Sequence, residues 1–102
     1  MKSAKEYLNS YRLQEHIIRN LKRLCLENPS QCEELKTQLA ESEALRTQIA
    51  KKILQTKEPR YKVLLYEKYI NGRTLEEIAG ILNYSKRHIE RLHVAALKSF
   101  KP

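Results

Sequence analysis

The first half of the chain carries two long stretches in which apolar residues recur every three or four positions. Ser3 and Glu6 have the spacing of a helix-capping pair, and no glycine or proline follows them before Asn28-Pro29. In this first stretch, the residues that fall on one side of a helix are Leu8, Tyr11, Ile18, Leu21 and Cys25. The pattern predicts a first helix that ends at about Glu27.

The second stretch begins at Pro29 or Ser30 and runs to about Thr56. Its apolar side is formed by Cys32, Leu35, Leu39, Ser42, Ile49 and Ile53. Two helices of about 25 residues, each nearly 40 Å long, are predicted to pair as an antiparallel hairpin or short coiled coil. Since such a pair cannot bury both stripes alone, we expect it to pack on the C-terminal part, on a second copy, or on both.

Three shorter helices are predicted in the rest of the chain. The first starts at Pro59 and stops at Asn71-Gly72. Its inward face is predicted to be Val63, Tyr66 and Ile70, thickened by Leu64 and Leu65. The fold class predicted from the pattern is therefore all-α, with a helical hairpin over residues 1–57 and a three-helix domain over residues 58–102.

The last two helices have the layout of a helix-turn-helix. Thr74 and Glu77 form a capping box before a helix of about eight residues, and Ser85 caps the helix that runs to about Phe100. Between them, Asn83 takes the position that needs a left-handed backbone. Ala79 and Gly80 are expected to let the helices approach closely, and the residues expected to hold the last helix against the core are Ile89, Leu92 and Ala96.

Charge adds a candidate partner to this picture. The chain has 102 residues, 41% of them hydrophobic and 31% charged, with a formal net charge of +8. Residues 1–58 carry 11 basic and 8 acidic side chains, a net of +3, whereas residues 59–102 carry 9 and 4, a net of +5. This bias toward the helix-turn-helix favours nucleic acid over an anionic membrane as the partner.

The start of the last helix presents the candidate reading face. In a helix-turn-helix the N-terminal residues of the second helix lie nearest the base edges, and Arg, Lys and Glu match the groups that bases expose there. The predicted base-contacting residues are Lys86, Arg87, His88, Glu90 and Arg91, and the predicted phosphate-contacting residues are Arg73, Thr74, Ser85 and Lys98. Taken alone, such a cluster is more often a solvated face; its position after the turn favours DNA contact.

Other classes of function find little support in the sequence. Cys25 and Cys32 flank the first break, where a bridge is conceivable, but free thiols are expected in a reducing compartment. The histidines and cysteines do not form a four-ligand metal spacing, and neither an activated nucleophile nor a glycine-rich phosphate loop is recognisable. We expect no cofactor, no metal, no small-molecule substrate, no membrane partner and no enzymatic activity. A cytoplasmic location is expected, since the chain has neither a signal-peptide pattern nor an apolar run long enough to cross a bilayer.

The last 45 residues or so also resemble a known family. The stretch that carries the likeness reads YEKYINGRTLEEIAGILNYSKRHIERLHVAALKSF and is similar to region 4 of bacterial sigma factors, which recognises a promoter element. Its matching motifs are Tyr69–Gly72, Leu75–Ala79 and Ala96-Leu97. The whole chain, with two helices before this domain, resembles the small phage-encoded ArpU- and RinA-like late-gene activators, most of all over Ser85–His93.

The resemblance implies roles for individual residues. Ser85 and Thr74 would meet phosphates, and Lys86, Arg87 and Arg91 would face the groove. Glu90 stands where sigma factors often have a basic residue, which implies a different base preference or weaker binding. Asn83 stands where these families often have glycine, so the exact docking geometry is not carried over. The other regions of a sigma factor are absent, which favours an activator over a sigma subunit.

Three functions follow from the residues and the resemblance together. The leading one is a sequence-specific regulator that binds double-stranded DNA, a phage or prophage late-gene activator acting at the nucleoid of the bacterial host cell. It would be a homodimer, with RNA polymerase as a further candidate partner of the N-terminal helices. The alternatives are an adaptor that binds RNA polymerase without touching DNA, and a DNA-packaging component similar to a small terminase subunit.

Overall fold

The described part of the chain, residues 3–101 of a computed structural model, is all-helical and contains no strand. Its five α-helices are α1 (Ala4–Glu27), α2 (Cys32–Leu54), α3 (Pro59–Leu65), α4 (Leu75–Leu82) and α5 (Lys86–Ser99). A 3₁₀ turn, Pro29–Gln31, precedes α2, and a π-helical turn, Tyr66–Ile70, extends α3. The predicted all-α class is confirmed. None of these helices combines the length and the apolarity needed to cross a bilayer.

The two long helices lie along one another, and local sequence explains where they begin and end. The Ser3 hydroxyl oxygen accepts a hydrogen bond from the backbone N–H of Glu6 at 3.2 Å, as the spacing predicts. Pro29 prevents Asn28 from continuing α1. The buried residues of α1 are Leu8, Tyr11, Ile18 and Leu21, and those of α2 are Ser42, Ile49 and Ile53. The predicted stripes are confirmed at these positions.

One hydrophobic cluster joins the inner ends of the long helices to the three shorter ones. Its members are Leu8 and Tyr11 of α1, Ile49 and Ile53 of α2, and from the remaining elements Leu64, Leu65, Tyr69, Ile78, Ala79, Ile89, Leu92, Ala96 and Phe100. The molecule is elongated, 53 × 26 × 20 Å, because the outer half of the α1–α2 pair extends beyond this cluster. The core thus lies at one end of the molecule, around α5.

The inward face predicted for α3 is confirmed except at Val63. Leu64 and Leu65 have no exposed surface, and Tyr66 and Ile70 are half-buried against the core, whereas Val63 is exposed. Tyr69, which the pattern did not predict to face inward, is also buried. After the π-helical turn, Gly72 stops the helix with a φ of 73°, as Asn71-Gly72 predicts.

Candidate nucleic-acid interface

The start of α4 is fixed by a reciprocal cap. The backbone N–H of Glu77 donates to Thr74 Oγ1 at 3.1 Å, and the backbone N–H of Thr74 donates to Glu77 Oε1 at 3.1 Å. The predicted capping box is confirmed. The hydrogen bond from the Thr74 backbone N–H is the main reason why the pKa of the Glu77 carboxyl lies below its ordinary value, and a hydrogen bond from the Thr74 hydroxyl adds to the effect. Both oxygens that could meet a ligand at this helix end are therefore engaged within the protein.

The turn between α4 and α5 has the backbone that the sequence predicts. Asn83 is left-handed, with φ 61° and ψ 42°, and the next backbone N–H, that of Tyr84, donates to the Ala79 carbonyl at 2.9 Å. Ser85 Oγ then accepts from the backbone N–H of His88 at 3.1 Å and caps α5. Two local interactions therefore set the direction in which α5 leaves the turn.

The expectation that Gly80 allows α4 and α5 to approach closely is wrong. Ala79 is buried in the core, but Gly80 is exposed and a Cβ added there meets nothing within 4 Å. Nothing in the structure explains the glycine at position 80.

Helix α5 has one buried side and one exposed side. Ile89, Leu92 and Ala96 are buried, as predicted. Every predicted base-contacting residue lies on the exposed side, namely Lys86, Arg87, His88, Glu90 and Arg91. Within residues 3–101, no carboxylate forms an ion pair with any lysine or arginine of this set. A basic surface without internal partners is therefore open to solvent along the first half of α5.

Part of this surface is a continuous face of α5. Its residues are Arg87, Glu90, Arg91, Val94, Ala95 and Lys98. The structure thus brings two predicted base contacts, Arg87 and Arg91, together with the predicted phosphate contact Lys98. Val94, which is 52% exposed, adds an apolar surface that the sequence analysis did not single out.

His88 lies differently from its neighbours. Its ring stacks on that of Tyr84, with 4.2 Å between the ring centroids and 27° between the planes. The stacking fixes the imidazole over the turn. Among the predicted base-contacting residues, His88 is therefore the one whose ring is stacked on an aromatic neighbour within the described residues.

The predicted phosphate contacts differ in how free they are. Arg73 is ion-paired with Glu67 at 2.7 Å and lies 3.8 Å from a carboxylate oxygen of Glu77. Ser85 uses its oxygen as an acceptor, so the hydroxyl proton is still able to donate. Lys98 is exposed in the last turn of α5 and forms no ion pair in the described part of the chain. To bind a phosphate, Arg73 would have to give up its ion pairs with Glu67 and Glu77. Lys98 and Ser85 could bind a phosphate without breaking an ion pair.

Arg12 is a candidate that sequence reasoning missed. Its guanidinium, carried by α1, lies against Gly72. Arg12 Nη1 is 3.5 Å from the Ile70 carbonyl oxygen, and a Cβ added at position 72 would lie 2.7 Å from the same nitrogen. An exposed arginine of the long helix thus lies against the Ile70–Gly72 segment, just before the helix-turn-helix. No local signal predicts a contact between residues so far apart in sequence.

A buried polar pair supports α5 from beneath. His93 Nε2 and the Tyr69 hydroxyl oxygen are 2.7 Å apart, and both side chains are buried. Burial raises the pKa of Tyr69 to about 12 and, together with the nearby Lys68 and Lys5, lowers the pKa of His93. Both groups are therefore neutral near pH 7, and the hydrogen bond between them gives each a polar partner inside the core.

No protein-family model, curated protein or solved structure matches the chain. The geometry and charge of the chain itself are therefore the basis for a proposed function.

Proposed function

We propose that the protein is a sequence-specific regulator that binds double-stranded DNA through α5. The observation that carries this proposal is the exposed basic side of α5, whose cations lack internal partners while its opposite side is buried. Ser85 and Asn83 define how α5 leaves the turn, which is what a helix entering a major groove requires. The finer arrangement, a hairpin followed by a three-helix DNA-binding domain, belongs to this proposal.

The proposed interface divides its contacts between bases and backbone. Lys86, Arg87 and Arg91 donate to guanine or to nearby phosphates, and Glu90 accepts from the cytosine amino group. Ser85 and Lys98 position the duplex through phosphates. Arg73 and Thr74 do so less strongly, because Arg73 is ion-paired and the Thr74 hydroxyl is hydrogen-bonded to Glu77.

We add Arg12 to the proposed phosphate contacts, because it lies beside the helix-turn-helix and has no ion pair in the described part of the chain.

The resemblance to phage late-gene activators suggests the biological setting of this binding. Such a protein would act on promoter DNA in the bacterial host cell. A homodimer would place two copies of α5 about 34 Å apart on a palindromic site. Footprinting on the protein's own genome would identify the site and its symmetry.

An adaptor that binds a protein is the second candidate, favoured by the exposed Val94 on the same face of α5. Salt separates the two functions. Binding through several phosphates makes the logarithm of the affinity fall with a slope of about −0.9 for each phosphate contact, whereas an apolar protein interface gives a shallow dependence.

The decisive experiment compares the footprinted duplex with a scrambled duplex in fluorescence anisotropy titrations. Arg87→Ala and Arg91→Ala are each expected to cost about 1–3 kcal/mol on the footprinted duplex and little on the scrambled one. Arg23→Ala, the same charge change at the far end of α1, is the control and should leave both affinities nearly unchanged.

Two outcomes contradict the proposal. The first is the absence of a footprint on any duplex at low salt. The second is an equal loss on both duplexes for Arg87→Ala and Arg91→Ala, which would mean that these residues only neutralise phosphate.

A further inference from the structure

The outer half of the α1–α2 pair leaves its apolar side chains uncovered. From Lys22 to Glu41 none of the side chains is buried. Leu26 is 83% exposed, and Cys25, Cys32, Leu35 and Leu39 are half-buried. Because a hydrophobic stripe is stabilising only where something covers it, this half of the pair offers a surface for a partner.

Two grooves lie between the helices in this region. The outer one is lined by Lys22, Cys25, Leu26, Cys32, Lys36 and Leu39. The inner one is lined by Glu15, Ile18, Arg19, Lys22 and Arg46. Lys22 lines both, so the two grooves adjoin and form what we term the hairpin groove.

The floor of the hairpin groove is apolar at its outer end. Leu26 and Leu39 contribute hydrocarbon, and the two cysteines are free thiols. Cys25 Sγ lies 3.8 Å from the Cys32 carbonyl oxygen. The hydrogen bond between Cys25 and Cys32 raises the pKa of the Cys25 thiol, so at neutral pH the thiol stays uncharged.

The walls of the hairpin groove are basic. Its four cations, Arg19, Lys22, Lys36 and Arg46, line it with a single carboxylate, that of Glu15. Lys36 is paired with Glu33 at 3.0 Å, but the other three form no ion pair within the described residues. The groove therefore combines an apolar floor with unpaired positive charge.

We propose that the hairpin groove binds an acidic amphipathic helix of another protein. Apolar residues at helical spacing would cover Leu26 and Leu39, and carboxylates on the helix flanks would pair with Arg19, Lys22 and Arg46. A second copy of the chain fits less well, because a two-fold symmetric contact through this groove would bring the same cations together. This partner site is separate from the DNA-binding surface of α5.

The test uses the full chain and a pair of labelled synthetic peptides about three heptads long. One peptide carries leucine at helical spacing with glutamate on both flanks, and the other has lysine in place of every glutamate. The acidic peptide is expected to bind with an affinity that falls as salt is added, and the basic peptide to bind at least about tenfold more weakly.

Variants locate the binding. Lys22→Glu and Leu26→Glu are each expected to weaken the acidic peptide at least about fivefold. Lys51→Glu and Leu45→Glu are matched controls, because they change an exposed lysine and a 48% exposed leucine of α2 outside the hairpin groove. Circular dichroism verifies that all four variants are folded.

Three results overturn the proposal. One is that the two peptides bind equally well, or that neither binds at concentrations up to about 1 mM. Another is an equal loss in the variants and their controls. The third is a dimer in sedimentation that Lys22→Glu or Leu26→Glu dissociates, which would identify a second copy as the occupant. Arg87→Ala should leave peptide binding unchanged, so that failure here is distinguishable from failure of DNA binding.

Discussion

Replacing Asn83 by alanine isolates the energy of the left-handed residue between α4 and α5. With φ 61° and ψ 42° the residue lies close to the ideal left-handed conformation. An L-residue pays about 1–2 kcal/mol there, less for asparagine, whose short polar side chain tolerates the region. Asn83 is exposed, and its side chain forms no hydrogen bond within the described part of the chain. Asn83→Ala should therefore lower the free energy of unfolding by about 1 kcal/mol through the backbone alone.

Asn83→Gly is the matched variant. Glycine enters the left-handed region without strain, but its unfolded state has more conformational freedom, and the two effects differ by only about 0.5 kcal/mol. Urea unfolding followed by circular dichroism should give a lower midpoint for alanine and a nearly unchanged one for glycine, at equal slopes. In thermal unfolding, 1 kcal/mol corresponds to about 4–8 °C for a domain of this size. Equal midpoints for wild type and Asn83→Ala would refute the reasoning, as would an equal loss in both variants.

Two further perturbations test features found only in the structure. Gly80→Ala should raise the free energy of unfolding by about 0.5–1 kcal/mol, because alanine is the better helix former and its Cβ meets open space; a lower urea midpoint would show that Gly80 has an unrecognised role in the fold. The lowered pKa of His93 makes stability depend on pH, because below about pH 6.5 the unfolded chain takes up a proton that the folded one resists. The contribution of His93 to the free energy of unfolding should be largest above pH 6.5. It should decrease as the pH is lowered from 6.5 to the pKa of His93 in the folded protein, by at most about 1.4 kcal/mol per pH unit. In urea titrations at several pH values His93→Gln should lose this part of the slope, and identical pH profiles would contradict the assignment.

The features that sequence predicted best are those determined within four or five residues. The caps at Thr74 and Ser85 and the backbone at Asn83 each depend on one side chain and the amides next to it. Their positions, together with the buried side of α5, could be predicted because they require no knowledge of what packs on them. The exposure of the predicted reading face follows from the same periodicity.

The features that sequence missed depend on distant parts of the chain. Tyr69 is buried and Val63 is exposed, contrary to the pattern, because a continuous apolar run does not reveal which residues other elements will cover. Tyr69 meets His93 across 24 residues, and Arg12 reaches Ile70 across 58. No local pattern contains such pairings. Gly80 shows the converse error, since a small residue near a crossing need not lie in it.

The shared core at the inner end of α1 and α2 makes the long pair a stiff spacer. Leu8 and Ile53 are packed among the residues that hold α5, so the outer end of the pair is held at a constant reach from α5. The 24 residues of α1 span about 36 Å. If α5 binds DNA as proposed, anything attached at the far end would also lie on one side of the duplex, and DNA turns once in about ten base pairs. The number of base pairs between neighbouring sites would then affect assembly as much as the sequence of each site.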